Sequence, residues 1–304
     1  PHIRIHWLVV LLLMAMSTAA AAEIGDRYFS VNASRLPKAD FEDLAGGGDV
    51  RTQDNQVAAA FLRITRGNAT IDFGFDYQYT RYKYNDVDSR NRDLHRVQLP
   101  IWISAPYANW QLRAHIAPGI FTSSNVLGDF FNRGGSDDLY VSGRLEATRE
   151  NPRSAWLLGI AHDRAFGRSL TYPVVGVNLS PSDSVQVRLA WPDPAVDITL
   201  SDRQSLSFRA FPAGNQWHVR TDDFAREFDY RFEAWRSQLT WNIGVFDAVS
   251  LDFSVGYEFD RAHFFTDDPG TRINATADDQ WLFAIGFRLG HGPLPLTHGY
   301  HLNR

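Results

Sequence analysis

Cysteine is absent from the 304 residues, and only two basic residues are lysine, Lys38 and Lys83. Without cysteine there is no disulfide scaffold, no thiolate zinc or iron–sulfur site and no thiol enzyme. Positive charge is also in deficit, with 30 Lys and Arg against 35 Asp and Glu and a net charge of −5. That balance excludes a basic nucleic-acid binder. Beyond residue 22 no stretch approaches the roughly 20 apolar residues that a spanning helix needs, so any passage through a membrane must be made by strands. What the chain does have is apolar and aromatic side chains: 44% hydrophobic and 13% aromatic, including nine Trp. A disordered chain is excluded by that content, and a large β-rich protein is favoured.

Residues 1–22 read PHIRIHWLVVLLLMAMSTAAAA, with Arg4 at the start, an apolar run from Trp7 to Met16 and Ala20-Ala21-Ala22 at the end. This is the layout of a cleaved secretory signal peptide, too short to span a bilayer. Cleavage is expected after Ala22. No Cys follows, which excludes a lipoprotein anchor. The rest is read as one domain over 23–290, followed by a C-terminal tail over 291–304.

The recurring feature is alternation. Along 71–80, Ile71, Phe73, Phe75, Tyr77 and Tyr79 oppose Asp72, Gly74, Asp76, Gln78 and Thr80. Along 251–260, Leu251, Phe253, Val255, Tyr257 and Phe259 oppose Asp252, Ser254, Gly256, Glu258 and Asp260. Period two over such a length is a strand whose faces meet different solvents, and the length suits a tilted bilayer crossing of roughly 9–11 residues. Weaker copies follow at 185–191, 196–200, 238–245 and 281–289, and 94–103, 110–121, 139–148 and 155–163 also fit. Short polar connections (66–68, 105–109, 151–153, 180–184, 201–204, 247–249) alternate with longer ones (38–54, 85–93, 122–137, 164–171, 212–227, 266–279). The short Pro192-Asp193-Pro194 is the exception on the long side.

Short-long alternation marks an all-β, antiparallel up-and-down transmembrane barrel, its short turns in the periplasm and long loops outside. The count is about fourteen strands, or twelve if 192–211 pairs differently. The stretch 38–45 is the one place that allows a short helix.

A soluble sandwich also alternates. The scarcity of Lys on the polar faces argues against it. So do aromatics gathered at strand ends, as at interfacial girdles: Tyr77 to Tyr84, Trp102, Tyr107 and Trp110, Trp156, Trp191, Trp235 and Trp241, Tyr257, Phe264 and Phe265, and Trp281.

The run 173–212, PVVGVNLSPSDSVQVRLAWPDPAVDITLSDRQSLSFRAFP, with Leu94-His95-Arg96 and Gly256-Tyr257 followed by Arg261, resembles a family of uncharacterised Gram-negative outer-membrane β-barrels. The likeness would cover most of 27–290. It implies fold and an outer-membrane location, and no activity. One departure is the end of the chain. Such barrels usually finish on an aromatic residue, whereas here Phe287-Arg288-Leu289 is followed by HGPLPLTHGYHLNR, read as a periplasmic extension or a misplaced chain end.

Inward, pore-lining positions are expected at Arg96, Arg113, Arg144, Arg188, Arg209, Arg231 and Arg288, and at Asp72, Asp76, Glu146, Asp163, Asp197, Glu233, Asp252, Glu258 and Asp260. The signs nearly balance. Such ladders either orient small polar solutes in a channel or pair across a filled interior. At about fourteen strands the interior exceeds what side chains fill, although 122–137 could fold in as a plug.

A passive pore for small polar solutes is therefore expected. The alternative is a closed structural or adhesion barrel acting through its loops. A lipid-modifying enzyme is a third reading, centred on His162 on the row of Trp156, Leu158 and Ile160. No Gly-x-Ser-x-Gly is present, and no catalytic residue or cofactor is assigned. The acidic pairs Asp137-Asp138, Asp267-Asp268 and Asp278-Asp279 read as solvated loop tips, with Ca²⁺ or Mg²⁺ binding the other reading; no metal ligand is assigned. Expected partners are outer-membrane lipid and lipopolysaccharide and the barrel-assembly machinery, without nucleic acid.

Overall fold

The computed structural model describes residues 28–44, 47–87, 89–220, 226–266 and 272–290. The segments read as signal peptide and tail, and the pair Asp267-Asp268, lie outside these residues.

The strands run in chain order around a wall. The first six are β1 (Tyr28–Asp40), β2 (Asp49–Arg66), β3 (Ala69–Asn85), β4 (Arg92–Gln98), β5 (Ile101–Tyr107) and β6 (Trp110–Ser123). Two short helices, α1 (Ser124–Leu127) and α2 (Phe130–Arg133), precede β7 (Leu139–Asn151), β8 (Ser154–Asp163), β9 (Leu170–Ser182) and β10 (Val185–Trp191). Then come β11 (Ala195–Ser201), β12 (Gln204–Pro212), β13 (Asn215–Arg220), β14 (Glu227–Phe246), β15 (Val249–Thr266), β16 (Arg272–Ala277) and β17 (Gln280–Leu289). β17 pairs antiparallel with β1, which closes the sheet.

Three staves of the wall are each built from two strands. β3 pairs with β4 and then with β5, because Pro100 has no N–H to continue the ladder. β14 pairs with β12 and then β13, and β15 with β17 and then β16. Counted as staves, the barrel has fourteen strands. The short turns fall within the ranges expected from the sequence. Over 38–44 there is no helix: β1 continues to Asp40 and Phe41 bridges to Ala277.

Over the lower part of the wall the outward row is apolar and exposed: Leu145, Leu158, Ile160, Leu189, Phe208, Phe253, Phe283 and Ile285. Hydrocarbon is the solvent that suits such a belt. Tyr107, Trp110 and Trp156 mark its edge near the short turns, and Tyr77, Tyr79, Trp191, Trp235, Tyr257 and Trp281 mark the opposite edge. Phe75→Arg is expected to cost roughly 2–4 kcal/mol in refolding into vesicles, as a charge near mid-bilayer. If it proved no worse than the same change at an exposed collar position such as Lys83, this inside-outside assignment would be wrong.

Above the outer girdle the polarity inverts. On β3 the inward positions Asp76, Gln78 and Thr80 give way to Tyr82 and Tyr84, while Arg81 and Lys83 turn outward and are exposed. The neighbouring strands do the same, so the protruding part has a dry interior and a wet exterior.

The wall also narrows there. β12 loses β11 at the Ala195–Arg209 pair, and β6 loses β7 at Ile120–Leu139. Two unpaired edges are thereby exposed, and an open edge is a liability. β13 turns in at Ala213-Gly214 and meets β6 in a parallel bridge, His218 to Thr122. A Cβ at Gly214 would lie 2.4 Å from the backbone nitrogen of Gly167, so only glycine permits the bend. On the far side, Phe41 and Ala277 join β1 to β16.

The result is a collar of nine strands: β1, β2, β3, β4, β6, β13, β14, β15 and β16. An odd ring of alternating strands needs one parallel seam, and β6–β13 is that seam. Around eight strands leave only the width that side chains fill. The collar is accordingly packed with Phe41, Val50, Tyr82, Tyr84, Leu94, Phe121, Trp217, Tyr230, Phe232 and Phe265.

Candidate functional site

The lower interior is polar and its charges are paired. Near the short turns, Arg63 donates to Asp72 at 2.6 Å, and Asp252 accepts from Asn242 at 2.6 Å and from Arg288 at 2.8 Å. At mid-height Asp76 accepts from Gln56 at 2.7 Å and from Arg96 at 3.1 Å. On the opposite wall Arg144 donates to Glu146 at 2.7 Å, and Arg188 lies 3.6 Å from Glu146 and 3.4 Å from Asp193. Arg236 donates to Glu258 through Nε at 3.0 Å and reaches Asp54 on β2 at 3.9 Å. β14 and β2 are not neighbours, so that pair spans the lumen.

Beneath the collar a polar cavity of about 160 Å³ is bounded by Asp54, Gln56, Gln78, Arg96, Arg209 and Arg236. A wider space of about 550 Å³ opens at the short-turn end, against Arg153, Asn178 and Gln186. Between the cavity and the outside stands the collar core. Tyr82 stacks on Tyr230 at 5.2 Å, and Tyr230 on Phe265 at 5.5 Å. Tyr230 bonds to His263 at 2.7 Å. Burial, and then the neighbouring Arg261, push the His263 pKa well below its ordinary value, which disfavours a charged ring inside the collar.

Most of the positions expected to line a pore lie on the inner face of the wall. Asp72, Asp76, Arg96, Arg144, Glu146, Arg188, Asp252, Glu258 and Arg288 make the contacts above. Arg113 is in register with inward Glu146, Asp197 with Gln186, and Arg209 with Ala195. Asp163 accepts from the Tyr172 hydroxyl at 2.7 Å.

Three positions are corrected. Arg231 and Glu233 point outward, paired with each other at 3.1 Å, with Arg231 over the Phe264 ring. They belong to the collar, where polar side chains face solvent. Asp260 is exposed on a bulge with φ 53°, opposite a register shift between Glu233 and Trp235. That extra residue puts Arg261, His263 and Phe265 inside instead.

Sequence reading missed Asp54, Asp193, Arg236 and the whole collar core. The usable signal was the inversion after Thr80, where tyrosines take over the face that had carried carboxylates.

His162 stands outward with Trp156, as expected. Its Nδ1 lies 2.7 Å from the Thr171 hydroxyl and its Nε2 3.1 Å from that of Ser169. The carboxylate that orients the imidazole in a Ser-His-Asp triad is replaced by a hydroxyl.

No protein-family model matches the chain, and no curated protein matches it. Among solved structures it is similar to a Pseudomonas aeruginosa FadL homologue, at 10% identity and a TM-score of 0.48, over 87% of this chain and 90% of that one. The Pseudomonas putida toluene transporter TodX matches at 9% identity and a TM-score of 0.38, over 90% and 91%. The translocator domain of the autotransporter NalP from Neisseria meningitidis matches at 11% and 0.35, over 93% and 94%. Likenesses at this level carry no information about a solute.

Proposed function

We propose that this protein is an outer-membrane conduit for small polar solutes whose outer mouth is shut by the collar in the conformation described. The observation that supports the reading is a fourteen-stranded wall around a charged, cavity-bearing interior. Such a circumference exceeds what side chains fill, and paired charges of both signs are a lining that can hold and release polar solutes. The aromatic collar supports the gating half, because no polar group can cross it without losing its hydration.

Planar-bilayer recording tests this. Wild-type protein should show rare, small ohmic steps, and a variant with a loosened collar should conduct readily. If a folded, loosened variant stays silent, the second reading takes over: a closed barrel acting through its outer surface, which the collar core also supports. Lipid turnover by the Ser169–His162 pair is separable, since His162→Ala would abolish it and leave conductance unchanged.

A further inference from the structure

The outer face of the collar carries a group that the conduit does not use. His218 on β13 is 7% exposed. Its Nδ1 lies 3.3 Å from the Asp229 carboxylate, a partner that favours the tautomer with the proton on Nδ1 whenever the ring is neutral or ligates a metal through Nε2. Nε2 is buried and makes no hydrogen bond. Two carboxylates from different parts of the chain lie beside the ring. One is Glu227, at the start of β14, with an oxygen 3.5 Å away. The other is Asp137, in the segment between α2 and β7. One ligand atom from each of His218, Glu227 and Asp137 can be chosen so that all three lie within 4.8 Å of one another. A cavity of about 470 Å³ adjoins the group.

We propose that His218, Glu227 and Asp137 form a binding site for a first-row divalent metal ion of the Zn²⁺ type. An imidazole and two carboxylates are donors that such an ion accepts. Ligand bonds of about 2.0–2.2 Å place tetrahedral donors roughly 3.3–3.6 Å apart, a range that includes the 3.5 Å between His218 and Glu227. Asp137 needs only to close in by a side-chain adjustment, for which its exposure leaves room. Asp229 fills the outer role usual for a ligating imidazole, a carboxylate on the second nitrogen.

The surroundings hold the frame in place. Asp138 is fully buried and accepts from the Gly135 amide at 2.8 Å. It also lies 3.5 Å from Arg220, whose Nε is 3.3 Å from Glu227. Asn125 donates to the Arg220 carbonyl at 2.7 Å. The metal would thus staple the 124–138 segment to the hairpin that forms the parallel seam. The inference stands independently of the conduit reading.

The test is isothermal titration of the full chain in detergent with ZnCl₂, beside Co²⁺ loading followed by visible absorption. One Zn²⁺ per chain should bind, with a Co²⁺ spectrum of mixed nitrogen and oxygen ligation. His218→Ala should abolish both signals, and Asp229→Asn should weaken binding by roughly 10–100-fold. Asp137→Asn, on an exposed side chain, covers the case in which His218→Ala does not fold; it should weaken binding by at least the roughly tenfold that loss of an outer partner costs. Identical titrations for wild type and Asp137→Asn, or Ca²⁺ bound as tightly as Zn²⁺, would overturn the proposal.

Discussion

Trp217→Ala is expected to destabilise the protein by about 3–5 kcal/mol, the usual cost of removing a large aromatic from a packed core. The indole is 2% exposed; it packs edge-on against Tyr82 at 6.4 Å and lies tilted against Tyr230 at 6.1 Å. It sits on β13, the strand that crosses the mouth, so the cavity left behind lies on the seal itself. Urea-dependent refolding into vesicles should register the loss, and bilayer recordings should show a many-fold rise in open steps. Trp217→Phe leaves a smaller cavity. The indole N–H has no acceptor, so the phenyl ring loses no hydrogen bond and should cost less than the alanine variant. An alanine variant equal in stability and conductance to wild type would mean that the collar core seals nothing.

The second large effect is expected at Glu258, 1% exposed at the junction of barrel and collar. Arg236 donates to it from one side, and Arg261, 0% exposed, lies 3.4 Å away on the other. Glu258→Ala strands two guanidiniums. Removing one partner of a buried pair costs about 3–5 kcal/mol, since the remaining charge keeps its desolvation penalty. Arg261 retains the Asp278 carbonyl at 2.8 Å and Arg236 the more distant Asp54, so the lower part of that range is expected. Glu258→Gln should fall between, keeping an acceptor without the charge. A loss below about 1 kcal/mol for Glu258→Ala would show that water already reaches these arginines, as it does at exposed pairs.

The wall was legible because lipid and water impose opposite demands on alternate residues. Ile71 to Tyr79 against Asp72 to Thr80 is enough to orient β3, and the short turns follow from Gly67-Asn68, Pro152-Arg153 and Asp202-Arg203. What the pattern could not supply is where the solvent changes. Arg231 and Glu233 look like lumen residues only while hydrocarbon is assumed outside. Above the girdle the same alternation means the reverse. Asp260 was lost for a different reason: one inserted residue at a bulge turns every later side chain over. The parallel seam was out of reach because it joins residues far apart in the chain, and a single bridge leaves no local period. The metal-type cluster shares that cause, since Asp137, His218 and Glu227 meet only through the seam.

The most direct test is a spin-label accessibility scan along β3, which a chain without cysteine allows from single substitutions on an otherwise wild-type background. Labels at 73 and 75 should be relaxed by oxygen and shielded from a water-soluble nickel chelate. Labels at 81 and 83, on the same face, should show the opposite, and labels at 82 and 84 should be shielded from both. If 75 and 81 gave the same response, there would be no change of solvent along the strand, and the collar described here would not exist.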